Sequence, residues 1–277
     1  MTTVTPVSIV SGAASGIGRR MAVALVRAGH RVVLTDVNAV GLERLRSEER
    51  WVDTADVVLH PFDARDSDAW SVVVELTVQR FSRLDYMFNI AGTLTPGYVT
   101  EIDAASIHRQ VDVNVKGLMF ATCAGARQMA RQGHGHILNV ASIAGISHVP
   151  GLSVYCATKH AVRGFSLSVA HELAPRGVAV TVFCPDAVET PMLTLQEGAP
   201  EAAMVFAAGR ALSLDEVEAA LFQAMRTRPL EVVRDVPRSG RAFAARLANA
   251  FPRLTGLAVK HVVRQGLAAQ EKRKGRG

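Results

Sequence analysis

Short runs of β-branched and bulky apolar residues alternate along this chain with longer stretches in which apolar residues recur every three or four positions. Strands are predicted at Val7–Val10, Arg31–Asp36, Asp56–His60, Leu84–Asn89, His136–Ala141 and Val178–Phe183. Helices are predicted between them, at Gly16–Ala28, Ala39–Glu49, Asp66–Phe81, Asp103–Arg131 and Ser153–Ala174. The strands are apolar on both sides, as expected when helices cover both faces of a sheet. This rhythm predicts an α/β fold: a three-layer, Rossmann-like, doubly wound parallel sheet with right-handed crossovers. After Phe183 the rhythm changes. Cys184–Pro185–Asp186 reads as a turn, Thr190 to Arg210 as a helical flap, and Ser213 with Glu216 as the capping box of a helix running to about Arg226. A final strand is expected at Leu230–Asp235.

Length allows one large domain with an appendage, expected as residues 1–236 and a C-terminal extension at 237–277. The net charge of +6 belongs to the appendage: from Arg241 onward nine Lys or Arg residues face one acid, Glu271, whereas the first 240 residues hold 22 basic and 24 acidic side chains. No apolar run reaches membrane-spanning length, and Met1 to Pro6 does not read as the start of a secretory signal. The cysteines, Cys123, Cys156 and Cys184, lack metal-ligand or disulfide spacing, so no metal site is expected and a reducing cytoplasm is the expected compartment.

Ser11–Gly12–Ala13–Ala14–Ser15–Gly16–Ile17–Gly18 joins the first strand to the first helix. Such glycines allow a tight turn and let backbone approach a pyrophosphate, which meets the positive end of the helix dipole. Turn geometry alone would also account for them. Asp36 adds weight: it closes the second strand, where a carboxylate binds ribose hydroxyls and repels the extra phosphate of NADP. Thr35 and Val37 flank it, with no adjacent cation. NAD is therefore the expected cofactor.

Tyr155 and Lys159 lie four apart in a predicted helix and share one face. An ammonium beside a phenol, helped by a cationic nicotinamide ring, lowers its pKa and makes it a usable general acid/base. Ser142 ends the preceding strand, at the sheet edge where ligands bind. Together with Asp63, Asn89–Ile90–Ala91–Gly92, Asn114, Pro185 and Thr190, this ordered set resembles the short-chain dehydrogenase/reductase family over about residues 6 to 236. The resemblance implies that Tyr155 exchanges the substrate proton, Lys159 lowers its pKa and holds the nicotinamide ribose, and Ser142 orients the substrate. It implies that Asn114 holds a water linked to Lys159. The implied cofactor contacts are Gly12, Ser15, Gly16, Ile17, Gly18, Asp36, Asp63 and Ala64, then Asn89, Ala91 and Gly92, then Tyr155, Lys159, Pro185, Val188 and Thr190. Asp63 would contact adenine. A homo-oligomer, dimer or tetramer, built on the two long helices is also implied.

Two positions depart from the pattern. Ile90 replaces a common second Asn, and Asp186 stands where a Gly usually follows Pro185. A solvent-facing loop acid is the plainer expectation for Asp186; the alternative is a carboxylate that narrows the pocket or favours a substrate with a donor group. The substrate side, implied by resemblance, is Ile143, Ala144, His148, Val149, Leu152, Met192 and Leu195. It is mostly apolar and suits a moderately hydrophobic alcohol or ketone, with His148 read as a surface residue.

In the tail, Phe243, Leu247, Phe251, Leu254, Leu257 and Val262 recur at about helical spacing, broken near Pro252 and Gly256, with basic residues interleaved. Packing on its own domain or a partner is the favoured reading, and peripheral contact with an anionic membrane the alternative. Nucleic acid is not an expected partner, because no reader fold accompanies Lys272–Arg273–Lys274. A cofactor-binding sensor or scaffold without turnover is the remaining alternative.

Overall fold

The computed structural model describes residues 4–51, 55–237, 239–250 and 256–274. Seven parallel strands form one sheet in the order β3-β2-β1-β4-β5-β6-β7. They are β1 Val7–Ser11, β2 Arg31–Thr35, β3 Val57–Leu59, β4 Tyr86–Asn89, β5 Gly135–Val140, β6 Val178–Pro185 and β7 Glu231–Arg234. The chain winds outward from β1 to β2 and β3, then crosses back to β4 on the other side of β1. That reversal opens a crevice at the carboxyl ends of β1 and β4, where ligands bind in open α/β sheets.

Alternate strand residues feed two cores. Val10, Leu34, Phe88 and Leu138 face one side, where α1 (Gly16–Arg27), α2 (Ala39–Glu48) and α8 (Leu214–Thr227) pack. Ile9, Val33, Met87 and Ile137 face the other, against α3 (Ser67–Phe81), α5 (Leu118–Gln132) and α6 (Ser153–Leu173). Phe88 and Met87 are wholly inaccessible, and each such side chain stabilises the fold by roughly 1.5–3 kcal/mol. This is the expected doubly wound sheet. The capping box of α8 also forms as read: Ser213 Oγ accepts from the Glu216 N–H at 3.1 Å, and Glu216 accepts from the Ser213 N–H at 2.9 Å.

The structure differs from the expectation in two places. The single helix expected at Asp103–Arg131 is α4 (Ala104–Val111) joined to α5 through a π turn at Asp112–Gly117. A π turn inserts an extra residue in the helix and shifts the faces that follow it, which a 3.6-residue periodicity does not register. The flap is not one helix either. A short α7 (Pro191–Thr194) is followed by a 3₁₀ segment at Pro200–Ala208, the second proline opening a new turn and Gly209, at φ +79°, ending it.

The tail forms α9 (Arg241–Ala250) and α10 (Gly256–Lys274). The break expected near Pro252 lies outside the described residues. Helix α10 lies across the 3₁₀ segment of the flap. Gly266 sits so close that a Cβ there would fall 1.9 Å from the Ala203 carbonyl oxygen. Gln270 donates to the Gln196 and Ala199 carbonyls at 3.1 and 2.9 Å, and Arg273 bridges Glu189 and Glu197, each at 2.9 Å.

Candidate active site

The turn after β1 is shaped by close approaches that exclude side chains. Gly12 has φ +67°, and a Cβ on it would lie 3.0 Å from the Ala91 backbone. On Gly18 a Cβ would lie 2.0 Å from the Gly12 carbonyl oxygen. Helix α1 begins at Gly16 with no acidic residue in its first turn, so its free N–H groups present an uncompensated positive end. Asp36 braces the turn, accepting from the Ala14 N–H at 3.0 Å and the Asn38 N–H at 2.9 Å.

Around this turn lies a cavity of about 500 Å³. Gly12, Ser15, Gly16, Ile17, Gly18 and Asp36 line it, as do Asp63, Ala64, Ala91, Gly92 and Thr190. Glycines that bring bare backbone to the wall, a helix N-terminus and a carboxylate at the end of β2 together fit a dinucleotide. Two arginines absent from the expected set, Arg65 and Arg109, also reach the wall. Arg65 is held by Asp63 in a two-pronged pair at 2.6–3.0 Å, and its hydrogen bonds keep the Asp63 carboxyl below the ordinary range. Ala64 is positioned from behind by the buried Trp70, whose indole N–H donates to the Ala64 carbonyl at 2.9 Å.

A second, smaller cavity opens beside the first, and Ile17, Ile90, Gly92, Thr190 and Met192 belong to the walls of both. Ser142, Tyr155, Lys159, Pro185 and Val188 meet here. Ser142 Oγ donates to the Pro185 carbonyl at 3.4 Å and accepts from the Ala144 N–H at 3.1 Å, which fixes the loop after β5. A Cβ on Gly145 would fall 2.7 Å from the Lys159 carbonyl oxygen. That close contact seats the Ser142 loop on α6, which carries Tyr155 and Lys159.

Lys159 is buried, and its Nζ donates to the Val140 carbonyl at 2.9 Å while standing 5.5 Å from the centre of the Tyr155 ring. Burial lowers the ammonium pKa to about 8. Removal from water pushes the Tyr155 phenol above its ordinary range, against an opposing hydrogen bond from Ser142. The ammonium is directed at Val140, and desolvation of the phenolate dominates.

Asn114 sits in the π turn, buried. Its Oδ1 accepts from the Thr93 N–H at 2.7 Å, and its Nδ2 donates to the Thr93 carbonyl at 2.8 Å and to Thr158 Oγ1 at 3.2 Å. It lines neither cavity and approaches Lys159 across Gly92, where a Cβ would stand 3.3 Å from Asn114 Oδ1 and 3.8 Å from Lys159 Nζ. Asn89 also lies off both walls. It belongs to a buried polar chain, donating to Asn139 Oδ1 at 2.8 Å and Thr122 Oγ1 at 3.2 Å, and Asn139 donates on to Ser166 at 2.9 Å. That chain ties β4 and β5 to α5 and α6, so Asn89 supports the site from behind the sheet.

Most of the expected apolar wall is present: Ile143, Ala144, Val149, Leu152 and Met192 line the smaller cavity. Leu195 does not. It caps the short α7, beyond its last helical residue Thr194, and is 76% exposed. His148 is exposed and stacks on His160, as a surface residue would. Asp186 overturns its plainer expectation. Its side chain is 2% exposed and faces Arg241 Nη1 at 3.4 Å. Both residues line the cavity, and Arg241, grouped with the basic tail by its sequence context, carried no signal that it would reach a site.

The family model for short chain dehydrogenase matches residues 6–199. The chain belongs to the short-chain dehydrogenase family. Among curated relatives of this dehydrogenase, a protein of Staphylococcus epidermidis named diacetyl reductase [(S)-acetoin forming] is 34% identical over 187 residues, which are 67% of this chain and 72% of that one. A short-chain dehydrogenase/reductase from Burkholderia phymatum, solved in complex with NAD, superposes with a TM-score of 0.79 at 25% identity, covering 91% of this chain and 95% of that one. A structure described as ElxO with NADP bound superposes with a TM-score of 0.75 at 22% identity, covering 86% and 99%, a likeness of fold alone. The dehydrogenase is thus an oxidoreductase of the nicotinamide dinucleotide-binding type. No helix among the described residues is long and apolar enough to cross a membrane.

Proposed function

We propose that this dehydrogenase transfers a hydride between NAD(H) and a moderately hydrophobic alcohol or ketone, with Tyr155 as general acid/base. One observation carries the reading: the cavity holding Ser142, Tyr155 and Lys159 shares five wall residues with the cavity built on the glycine turn and Asp36. A nicotinamide bound there supplies or accepts the hydride. In the reducing direction the Tyr155 phenol gives its proton to the carbonyl oxygen as the carbon gains the hydride. Burial keeps that phenol protonated and ready to donate, Ser142 holds the same oxygen, and Lys159, still charged at neutral pH, returns positive charge to the site. Asn114 acts at one remove, by holding the Thr93 segment and Thr158 beside Lys159.

Asp36, at the ribose end with no cation paired to it among the described residues, supports NAD over NADP. The relative named for forming (S)-acetoin from diacetyl supports a small ketone. Docking of α10 on the flap supports a tail that packs on its own domain rather than on lipid. The same reading places the enzyme in the cytoplasm, supported by three free thiols, and makes it a homo-oligomer through α5 and α6, supported by the groove at Ala126, Phe165 and Val169. The test is a panel of secondary alcohols and ketones followed at the NADH absorbance band. Tyr155→Phe should abolish turnover of any active member while NADH still binds; turnover retained by that variant would refute the assignment.

A further inference from the structure

Asp186 is held on several sides at the turn after β6. Its N–H donates to the Arg234 carbonyl at 2.8 Å, and its Oδ1 accepts from the Ala187 N–H at 2.8 Å and faces Arg241. Its Oδ2 is buried and has no hydrogen-bond partner among the described residues. Arg241 is brought in by α9. Its guanidinium donates to the Val205 carbonyl at 3.2 Å and the Met204 carbonyl at 3.3 Å. These two bonds use two of the five N–H donors of the fork, and the Asp186 contact at 3.4 Å is an ion pair. The cavity therefore has a polar end at Ser142 and Tyr155, apolar walls, and a second polar pair contributed partly by the tail.

We infer that Asp186 and Arg241 form a subsite selecting substrates that carry a neutral hydroxyl next to the reacting carbon, that is, hydroxy ketones and the corresponding diols. The inference rests on the proposed function and names its substrate class. A carboxylate at this place would meet Asp186, and an ammonium would meet Arg241. A methyl group would leave Oδ2 unpaired in a water-poor site, the condition under which a polar pocket rejects an analogue lacking the polar group. A hydroxyl alone among these donates to Oδ2 and accepts from the guanidinium at once. Burial raises the Asp186 carboxyl and Arg241 lowers it; a hydroxyl is complementary to either protonation state. The two polar ends are close, because Ser142 bonds the carbonyl of Pro185, the residue before Asp186, and consecutive Cα atoms lie about 3.8 Å apart.

The experiment compares kcat/KM with NADH for one ketone skeleton bearing a hydroxyl, a methyl, a carboxylate or an ammonium group beside the carbonyl. The hydroxyl compound should exceed the methyl compound at least about tenfold, mostly through KM. Asp186→Gly should bring that ratio toward one and raise the relative rate on the carboxylate compound. Arg241→Met should raise the relative rate on the ammonium compound. Equal rates on hydroxyl and methyl compounds, or a ratio unchanged in Asp186→Gly, would overturn the inference while leaving the proposed function standing. Absence of turnover across the set would instead remove the proposed function. Thermal denaturation with a vicinal diol and saturating NADH then decides the subsite. A rise in Tm lost in Asp186→Gly supports it, and an equal rise in both proteins, or none in either, overturns it.

Discussion

Gly18→Ala tests whether the glycine turn is built for close backbone approach. The added methyl would lie 2.0 Å from the Gly12 carbonyl oxygen, 2.5 Å from the Gly12 carbonyl carbon and 3.1 Å from the Ala13 nitrogen. All three are backbone atoms, so no side chain can rotate away. Gly12 cannot retreat, since it already approaches the Ala91 backbone. Relief requires the first turn of α1 to move away from β1 by about 1 Å, against the buried packing of Met21, Ala22 and Leu25. Overpacking of this kind costs about 1–3 kcal/mol, which for a chain of this size lowers Tm by roughly 2–12 °C. A displaced helix N-terminus also misplaces the N–H groups offered to an anion, so NADH binding should weaken.

NADH affinity would be measured by titration and stability by thermal denaturation. Gly164→Ala is the control: Gly164 lies within α6, has nothing within 4 Å of an added Cβ and has no positive φ. That change should stabilise the helix by up to about 1 kcal/mol and leave NADH binding alone. A Gly18→Ala protein with wild-type Tm and wild-type NADH affinity would refute the close-approach account of the turn.

Other outcomes follow from the same geometry. Asp36→Ala should cut the preference for NADH over NADPH at least about tenfold, about 1.4 kcal/mol. Wild-type preference for NADPH would contradict the role given to that carboxylate. Glu216 is held down to about 2 by Arg210 and the Ser213 N–H, so its contribution is complete above its ordinary value of 4.5 and fades as pH falls toward 2. Glu216→Ala should accordingly cost about 1 kcal/mol at pH 7, with the difference in denaturation midpoint from wild type shrinking below pH 4.5. A difference that stays constant down to pH 3 would show that the charge is not responsible.

Strand and helix alternation was legible from the sequence because buried strands need continuous apolar runs and helices need a three-to-four repeat, and both are properties of neighbouring residues. The glycine turn, Asp36, Tyr155 with Lys159, and the capping box at Ser213 were legible for the same reason: each is a local pattern with a local geometric cause. The π turn around Asn114 was not, since insertion of one residue in a helix leaves the composition of its faces nearly unchanged. Asn89 shows the same boundary. The resemblance implies that its segment supports the central strand and lines the cofactor cleft, whereas its amide partners, Asn139 and Thr122, follow from the pairing of β4 with β5 and the packing of α5. Asp186 and Arg241 stand 55 positions apart in the chain, one in a turn and one in a basic tail, and no local pattern relates them. Only the packing of α9 and α10 over the flap brings that arginine to the buried carboxylate, because charge pairing at such separation is decided by which surfaces the fold closes together.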